Sequence, residues 1–321
     1  YWYYIPATLE KVTITDVTVI PEKAFNSCTM LKEVTLNGNV TTVNASAFSE
    51  CSNLTTLNGI ESLENVNDFA FRNCKKLLNF PTSALKVVGQ YSFYNCINLS
   101  EVTFSEELQS IGVDAFVNTA ITQIELTGGI TTIGAYAFAN TGLTTVTVPD
   151  TVTTIGEGAF KGCALTEISL PFVGESRTAR GVSQVFGYIF GYTYINSNYE
   201  TIEGAIFQYE NGSYRYWYYI PATLEKVTIT DVTVIPKYAF NNCKTIKEIT
   251  FTSNITSVYE GAFRNTQVEV LRFEGSLTGT VDAAAFTNLS QNVTIIVPDE
   301  FIEDYKTIFT GYNVIGKSEQ Q

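Results

Sequence analysis

A dipeptide that returns at a fixed interval constrains this chain more than any other feature. Ala-Phe, once replaced by Ser-Phe, sets Phe25, Phe48, Phe71, Phe93, Phe116, Phe138 and Phe160 at spacings of 22 or 23 residues. After a gap of 80 residues the series resumes at Phe240, Phe263 and Phe286. About five residues before each Phe lies a short β-branched run, such as Val40-Thr41-Thr42-Val43 or Ile130-Thr131-Thr132-Ile133. After it comes an L-x-x-V-x-L run, as at Leu31 to Leu36, Leu99 to Phe104, Ile121 to Leu126, Leu143 to Val148, Leu165 to Leu170 and Ile246 to Phe251. Alternating β-formers of this kind predict half-buried strands. The Ala-Phe segment between them has room for no more than one helical turn. A unit of this length cannot bury its own apolar stripe, so units must stack and share one. With strands about 4.8 Å apart, ten Phe-marked turns predict a core on the order of 50 Å long. The Phe side chains are expected to form one internal stack and the Leu/Val positions another.

A larger repeat overlies the small one. Residues 1–21 recur unchanged at 216–236, which points to recent duplication of a large module. Residues 1–6 are therefore expected to be the remnant strand of a truncated upstream module. Solenoid is expected over 7–170 and 220–298, with an insertion at 171–219 and a C-terminal cap helix and tail over 299–321.

The insertion breaks the period and is rich in Tyr, Phe and Gly, as in Phe186-Gly187-Tyr188-Ile189-Phe190-Gly191-Tyr192-Thr193-Tyr194. It also carries Arg177 and Arg180, in a chain with only 19 basic residues. Asn211-Gly212 between two β-rich runs predicts a hairpin, because both turn residues favour positive φ. Tyr188, Tyr192, Tyr194, Tyr209 and Trp217 are the candidate ligand-binding residues, since aromatic rings give large contact area at low entropy cost. The competing reading is cross-strand packing that covers an irregular stretch of the solenoid.

Chemistry is sparse. No histidine is present, which excludes Ser-His-Asp and Cys-His nucleophile systems and His-ligated zinc within this chain. A net charge of −13 argues against nucleic acid, whose phosphates need a basic surface. No apolar run is long enough for a membrane span. Gly156-Glu157-Gly158 lacks the residues of a nucleotide loop. Glu203 and Glu210 flank the aromatic insert and are the least unfavourable carboxylate pair for a glycosidase. Solvated surface acids are the simpler account of them. The Thr-Thr pairs resemble an ice-binding pattern, but their rows are irregular. No catalytic, cofactor or metal residue is expected. Cys28, Cys51, Cys74, Cys96, Cys163 and Cys243 each follow a repeat Phe by three residues, a slot that elsewhere holds Thr119, Thr141, Thr266 or Leu289. Such a slot asks for a modest buried side chain, so free thiols are expected, with a Cys28–Cys51 or Cys74–Cys96 bridge between adjacent turns as the alternative.

At the C-terminus, Val297-Pro298-Asp299-Glu300-Phe301-Ile302-Glu303-Asp304-Tyr305-Lys306 reads as a strand end, an Asp cap and a short amphipathic helix. Phe301, Ile302, Tyr305 and Ile308 are expected to face the last turn and cover its open edge. Residues 316–321 read as a linker or frayed tail.

The stretch Leu143 to Phe160, Leu-Thr-Thr-Val-Thr-Val-Pro-Asp-Thr-Val-Thr-Thr-Ile-Gly-Glu-Gly-Ala-Phe, resembles the unit of the BspA-like leucine-rich repeat family. The resemblance covers nearly all the chain apart from the insert and tail. It implies a right-handed, curved leucine-rich repeat solenoid of 22–23-residue units, mostly β with short helical turns, here carrying an aromatic β-hairpin insertion. It further implies a secreted or cell-surface protein of a host-associated bacterium, non-enzymatic, that binds an extracellular protein or host-cell ligand in adhesion. The alternative is a glycan-binding module using residues 186–219. Signal and anchor are expected outside this fragment.

Overall fold

The computed structural model describes residues 5–37, 39–80, 84–126, 128–196, 204–211 and 214–320. The chain divides into two units, residues 1–144 with 154–163, and residues 145–153 with 164–321.

In the first unit the L-x-x-V-x-L runs give parallel strands. Lys11–Thr15 pairs in register with Glu33–Asn37, and that strand pairs with Thr56–Asn58. The β-branched runs build a seven-stranded parallel sheet from Val19–Ile20 to Thr154–Ile155, each strand two residues long. Between the two sheets the predicted rows appear. Phe25, Phe48, Phe71, Phe93, Phe116, Phe138 and Phe160 stack with ring centroids 5.2–5.8 Å apart and planes within 9°. Leu31, Leu54, Leu77, Leu99, Ile121 and Leu143 form a second row, each at most 1% exposed. The spacing of the rings follows from the strand spacing, because each turn places its Phe over the one before.

The segment Ile121 to Leu126 forms no strand, and in Leu99 to Phe104 only Glu101–Val102 pairs. Ile121 and Leu126 are still buried, so the apolar row persists where ladder hydrogen bonds do not. The Ala-Phe segments are not helical turns either. They are turns with left-handed residues two positions before and two after the Phe, such as Tyr91 (φ 54°) and Asn95 (φ 59°) around Phe93. A left-handed residue cannot continue a right-handed helix. Asn recurs after the Phe because its short amide tolerates that conformation. These amides also bond between turns: Asn118 Nδ2 donates to Asn95 Oδ1 at 2.6 Å, and Asn140 Nδ2 to Asn118 Oδ1 at 3.0 Å.

All six cysteines are free thiols. The thiols of Cys51, Cys74 and Cys96 each donate to the carbonyl of the Phe one turn earlier, at 3.1 Å. In the same slot Thr119 and Thr141 donate to the Phe of their own turn, at 2.9 Å. The slot therefore accommodates a small donor, which is why Cys and Thr interchange there, although Leu289 fills it in the last turn. Burial pushes the Cys51 thiol up to about 12 and raises those of Cys74 and Cys96 as well.

The second unit has the same plan around a seven-stranded parallel sheet that runs from Thr145–Thr147 through Glu167–Leu170, Lys226–Ile229, Glu248–Phe251, Val270–Phe273 and Thr294–Val297 to Asn313–Gly316. Glu167 pairs with Lys226, so residues 171–219 are a single enlarged turn between neighbouring strands. A repeat Phe is hidden within it. The Phe186 amide donates to Ala239 O at 2.8 Å, as the Phe240 amide does to Ala262 O at 2.7 Å, and the Phe186 ring lies 5.2 Å from that of Phe240.

The C-terminal segment forms a 3-10 turn over Asp299–Phe301 and one α-helix, Ile302–Ile308. Asp299 does not cap the helix. Its Oδ1 accepts from the amide and hydroxyl of Ser318 at 3.2 and 2.9 Å. The tail is thus not frayed: Asn313–Gly316 is the edge strand of the sheet and Lys317–Glu319 a 3-10 turn. Tyr305 is fully buried against Phe273 at 5.2 Å, while Phe301, Ile302 and Ile308 are only partly buried. Phe309 completes the cover, 4.6 Å from Phe286.

Candidate functional site

The enlarged turn carries a three-stranded antiparallel sheet with Tyr214–Tyr218 at its centre, Tyr192–Asn196 on one side and Ile206–Asn211 on the other. Asn211 pairs with Tyr214, so the hairpin forms where Asn-Gly lies. Gly212 and Ser213, and also Glu203, lie outside the described residues.

Period-2 alternation sorts the candidate aromatics onto two faces. Tyr192, Tyr194 and Tyr209 gather around Tyr216 on one face, with ring centroids 5.7, 5.8 and 5.9 Å away. Tyr188 joins through Tyr192 at 6.3 Å. Tyr194, 59% exposed, meets Tyr214, 48% exposed, edge to face at 5.7 Å. Trp217 is not part of this cluster. It points from the opposite face, is 7% exposed, and packs on Phe207 at 5.8 Å. Four of the five candidates therefore share a surface and the fifth is core.

One residue that composition did not mark holds the sheet in place. The ladder slips at Gln208, between Phe207 and Tyr209, and this bulge buries Gln208 completely. Its Oε1 accepts from the Gly187 amide at 2.7 Å, and its Nε2 donates to Asn241 O and Cys243 Sγ, each at 3.1 Å. Asn241 Nδ2 donates back to the Gln208 carbonyl at 3.1 Å, and Tyr218 Oη donates to Val182 O at 2.8 Å. A lone Gln amid aromatic β-formers was the only sequence signal of this anchor.

Arg177 and Arg180 have different roles. Arg177 is a clamp: Nε donates to Asp231 Oδ2 at 3.0 Å, Nη1 to Val152 O at 3.0 Å and Nη2 to Asp150 O at 2.9 Å. Its guanidinium also lies 5.2 Å from the Phe172 ring centroid. Arg180 is exposed and has no ion pair among the described residues. Nearby, Lys237 Nζ stands 2.7 Å from Glu260 Oε2 and holds that carboxyl below the usual range. Burial, then a hydrogen bond to Glu260, raises the Tyr238 phenol.

The long sheet presents its own surface. Glu167, Lys226, Glu248, Val270, Thr294 and Asn313 stand in one row across it, and Ser169, Thr228, Thr250 and Arg272 in a second. These positions alternate with the buried Ile168, Val227, Ile249, Leu271 and Ile295, so they face away from the core. Among the described residues no group of three or more His, Cys, Asp and Glu could hold a metal ion, and no helix is long and apolar enough to cross a membrane.

Stacked parallel turns with a shared Leu row define the leucine-rich repeat class of solenoid. Within that class, the family described as BspA type leucine rich repeat region matches residues 2–78, 76–178 and 212–316, and the chain belongs to it. The family is associated with bacterial cell-surface proteins. Among solved structures, a leucine-rich repeat protein from Bacteroides ovatus is similar at 17% identity and a TM-score of 0.43, over 98% of this chain and 93% of that one. A leucine rich cell surface protein of Faecalibacterium prausnitzii is similar at 22% identity and a TM-score of 0.39, over 96% and 79%. The pneumococcal vaccine antigen PcpA is similar at 16% identity and a TM-score of 0.37, over 98% and 91%. No curated protein matches the chain.

Proposed function

We propose that this is a non-enzymatic, extracellular protein-binding module of a bacterial cell surface, acting in adhesion through the outward face of its long parallel sheet. The observation that carries this reading is the row from Glu167 to Asn313 that runs in unbroken register across that sheet, with a shorter row from Ser169 to Arg272 beside it. At about 4.8 Å per strand, seven strands span about 29 Å, the scale of one partner's share of a standard protein interface. The side chains there mix Thr, Ser, Glu, Lys and Arg on a rigid backbone, so recognition needs little ordering of the protein itself.

A second reading, glycan binding on the insertion, is favoured by Tyr194 and Tyr214, whose exposed rings meet edge to face. Binding of the intact chain to arrayed extracellular-matrix proteins and to a glycan array separates the two. The double variant Thr228→Lys, Thr250→Lys should abolish protein binding without lowering Tm, and Tyr194→Ala with Tyr214→Ala should leave it intact. Loss only in the tyrosine variant, with binding confined to glycans, would overturn the sheet-face reading.

A further inference from the structure

A cavity of about 540 Å³ lies within the second unit, between the loop 171–184 and the turn that contains residues 232–237. That volume falls within the range of small-ligand sites, roughly 300–1,000 Å³. The loop wall is built rather than incidental. The Glu175 amide donates to Ser183 O at 2.8 Å, and the loop turns through Gly174 and Gly181 at φ 77° and 64°. A Cβ on Gly174 would sit 2.2 Å from Ser183 O, so only glycine allows this closure. The Arg177 clamp and the Tyr218 hydroxyl on Val182 tie the loop down.

The chain contains its own control for this wall. Val17 and Val19 occupy the same places in the duplicated sequence as Val232 and Val234. The first pair is 38% and 39% exposed, whereas Val232 is 7% exposed and Val234 half-buried. In the second copy the insertion loop and the neighbouring turns together make this apolar strip the floor of a cavity.

Its chemistry is uneven. Arg177, Arg180 and Lys237 line it with Glu260 and Asp282, a cluster of cations in a chain with only 19 basic residues. Arg177 and Lys237 are spoken for by Asp231 and Glu260. Arg180 is the cation left over, and a guanidinium prefers a carboxylate, which it can grip with two parallel hydrogen bonds. The same cavity is lined by Val234, Pro236 and Tyr259, the last 49% exposed.

We propose that this cavity binds the C-terminal residue of a peptide, with its carboxylate on Arg180 and its apolar side chain against Val234, Pro236 and Tyr259. An apolar group beside a single carboxylate matches both walls. A sugar acid would leave Val234, Pro236 and the Tyr259 ring without an apolar partner. This site is independent of the sheet-face reading, and Thr228→Lys with Thr250→Lys should leave it unchanged.

The test is a titration of the isotopically labelled intact chain, followed by amide chemical shifts, with N-acetyl-Ala-Leu as free acid and as C-terminal amide. The acid should shift the amides of residues 176–184 and 232–237. The C-terminal amide should bind at least about tenfold more weakly, as should the acid to Arg180→Gln, a difference of about 1.4 kcal/mol. Tyr259→Ala should weaken acid and amide alike. Equal binding of acid and amide, an Arg180→Gln variant that binds as well as the parent, or tighter binding of N-acetylneuraminic acid would overturn the proposal. So would the absence of any shift at about 20 mM ligand, since a Kd of that size already corresponds to only about 2.3 kcal/mol of binding free energy.

Discussion

Replacing Gln208 by Met tests whether one buried amide positions the aromatic sheet. Methionine matches the length of the side chain but offers only a weak acceptor. The Gly187 N–H would lose its 2.7 Å acceptor, and Asn241 O and Cys243 Sγ would lose their shared donor. Water cannot replace these bonds. A Cβ built on Gly187 would fall 2.3 Å from Tyr218 Cβ, so the space is filled. Each buried polar group left unpaired costs about 1–3 kcal/mol, and two such groups, the amide and the carbonyl, give about 2–6 kcal/mol. That is at or below the low end of the usual 5–15 kcal/mol of a folded domain, and it falls on the insertion, so the solenoid should survive. The insertion sheet should open locally, because opening relieves the unpaired groups without disturbing the Phe stacks. Hydrogen exchange should show amide protection over 192–196 and 214–218 falling by about 30-fold to roughly 20,000-fold. Amides around Phe48 to Phe138 should be unchanged. Protection altered by less than about threefold, below ~0.7 kcal/mol, or lost equally along the whole chain, would refute the assignment of Gln208 as the anchor.

Other expectations are tied to single residues. Phe116→Ala removes a fully buried ring stacked on Phe93 and Phe138 at 5.2 and 5.5 Å. It should cost about 3–5 kcal/mol by denaturant unfolding. Gly261→Ala places a Cβ 2.4 Å from the Tyr238 ring at φ 65°. It should lower stability by about 1–2 kcal/mol for the backbone alone, and Tyr238→Ala in the same chain should relieve the remainder. The cysteines should resist thiol reagents at neutral pH, with half-buried Cys28 reacting first and all six reacting after denaturation. Because burial raises the Cys51 thiol to about 12, the folded state holds its proton longer than the unfolded state. Stability from this group is therefore full below its ordinary pKa near 9 and declines as pH rises from there toward 12. A chemical-denaturation series across that range, compared with Cys51→Thr, measures the difference.

Much of the architecture was legible because a repeat must present the same side chain at the same place in every turn. Phe, Leu and the β-branched pairs did so, and their rows stand as the spacing required. What escaped was whatever the repeat did not encode. Phe186 lacks the preceding Ala and lies 26 residues after Phe160, yet it occupies a repeat position because its amide finds Ala239 O. Gln208 gained its role from a slip in strand register, and alternation alone would have placed it differently. Trp217 looked like its neighbouring tyrosines, but one step along a strand moved it to the other face. The tail beyond Gly316 was polar enough to read as linker, and Asp299 holds it to the structure.

The twin copies at 1–21 and 216–236 separate the two contributions. Both form a strand at the same place, Lys11–Thr15 and Lys226–Ile229, and both form the short strand ending at Ile20 or Ile235. That much follows from β-branched alternation and the Pro that ends it. Leu224, Val227 and Ile229 are at most 1% exposed, whereas Leu9, Val12 and Ile14 are half-buried. Asp16 stands at φ 57° in the left-handed region, whereas Asp231, held by Arg177, does not. The second copy has strands on both sides and an insertion loop beside it, whereas among the described residues Lys11–Thr15 pairs on one side only. Local pattern determined which residues became strands and which way they faced. Only the neighbouring turns decided how deeply those residues were buried and whether their valines became surface or the floor of a cavity, because burial belongs to the stack rather than to the segment.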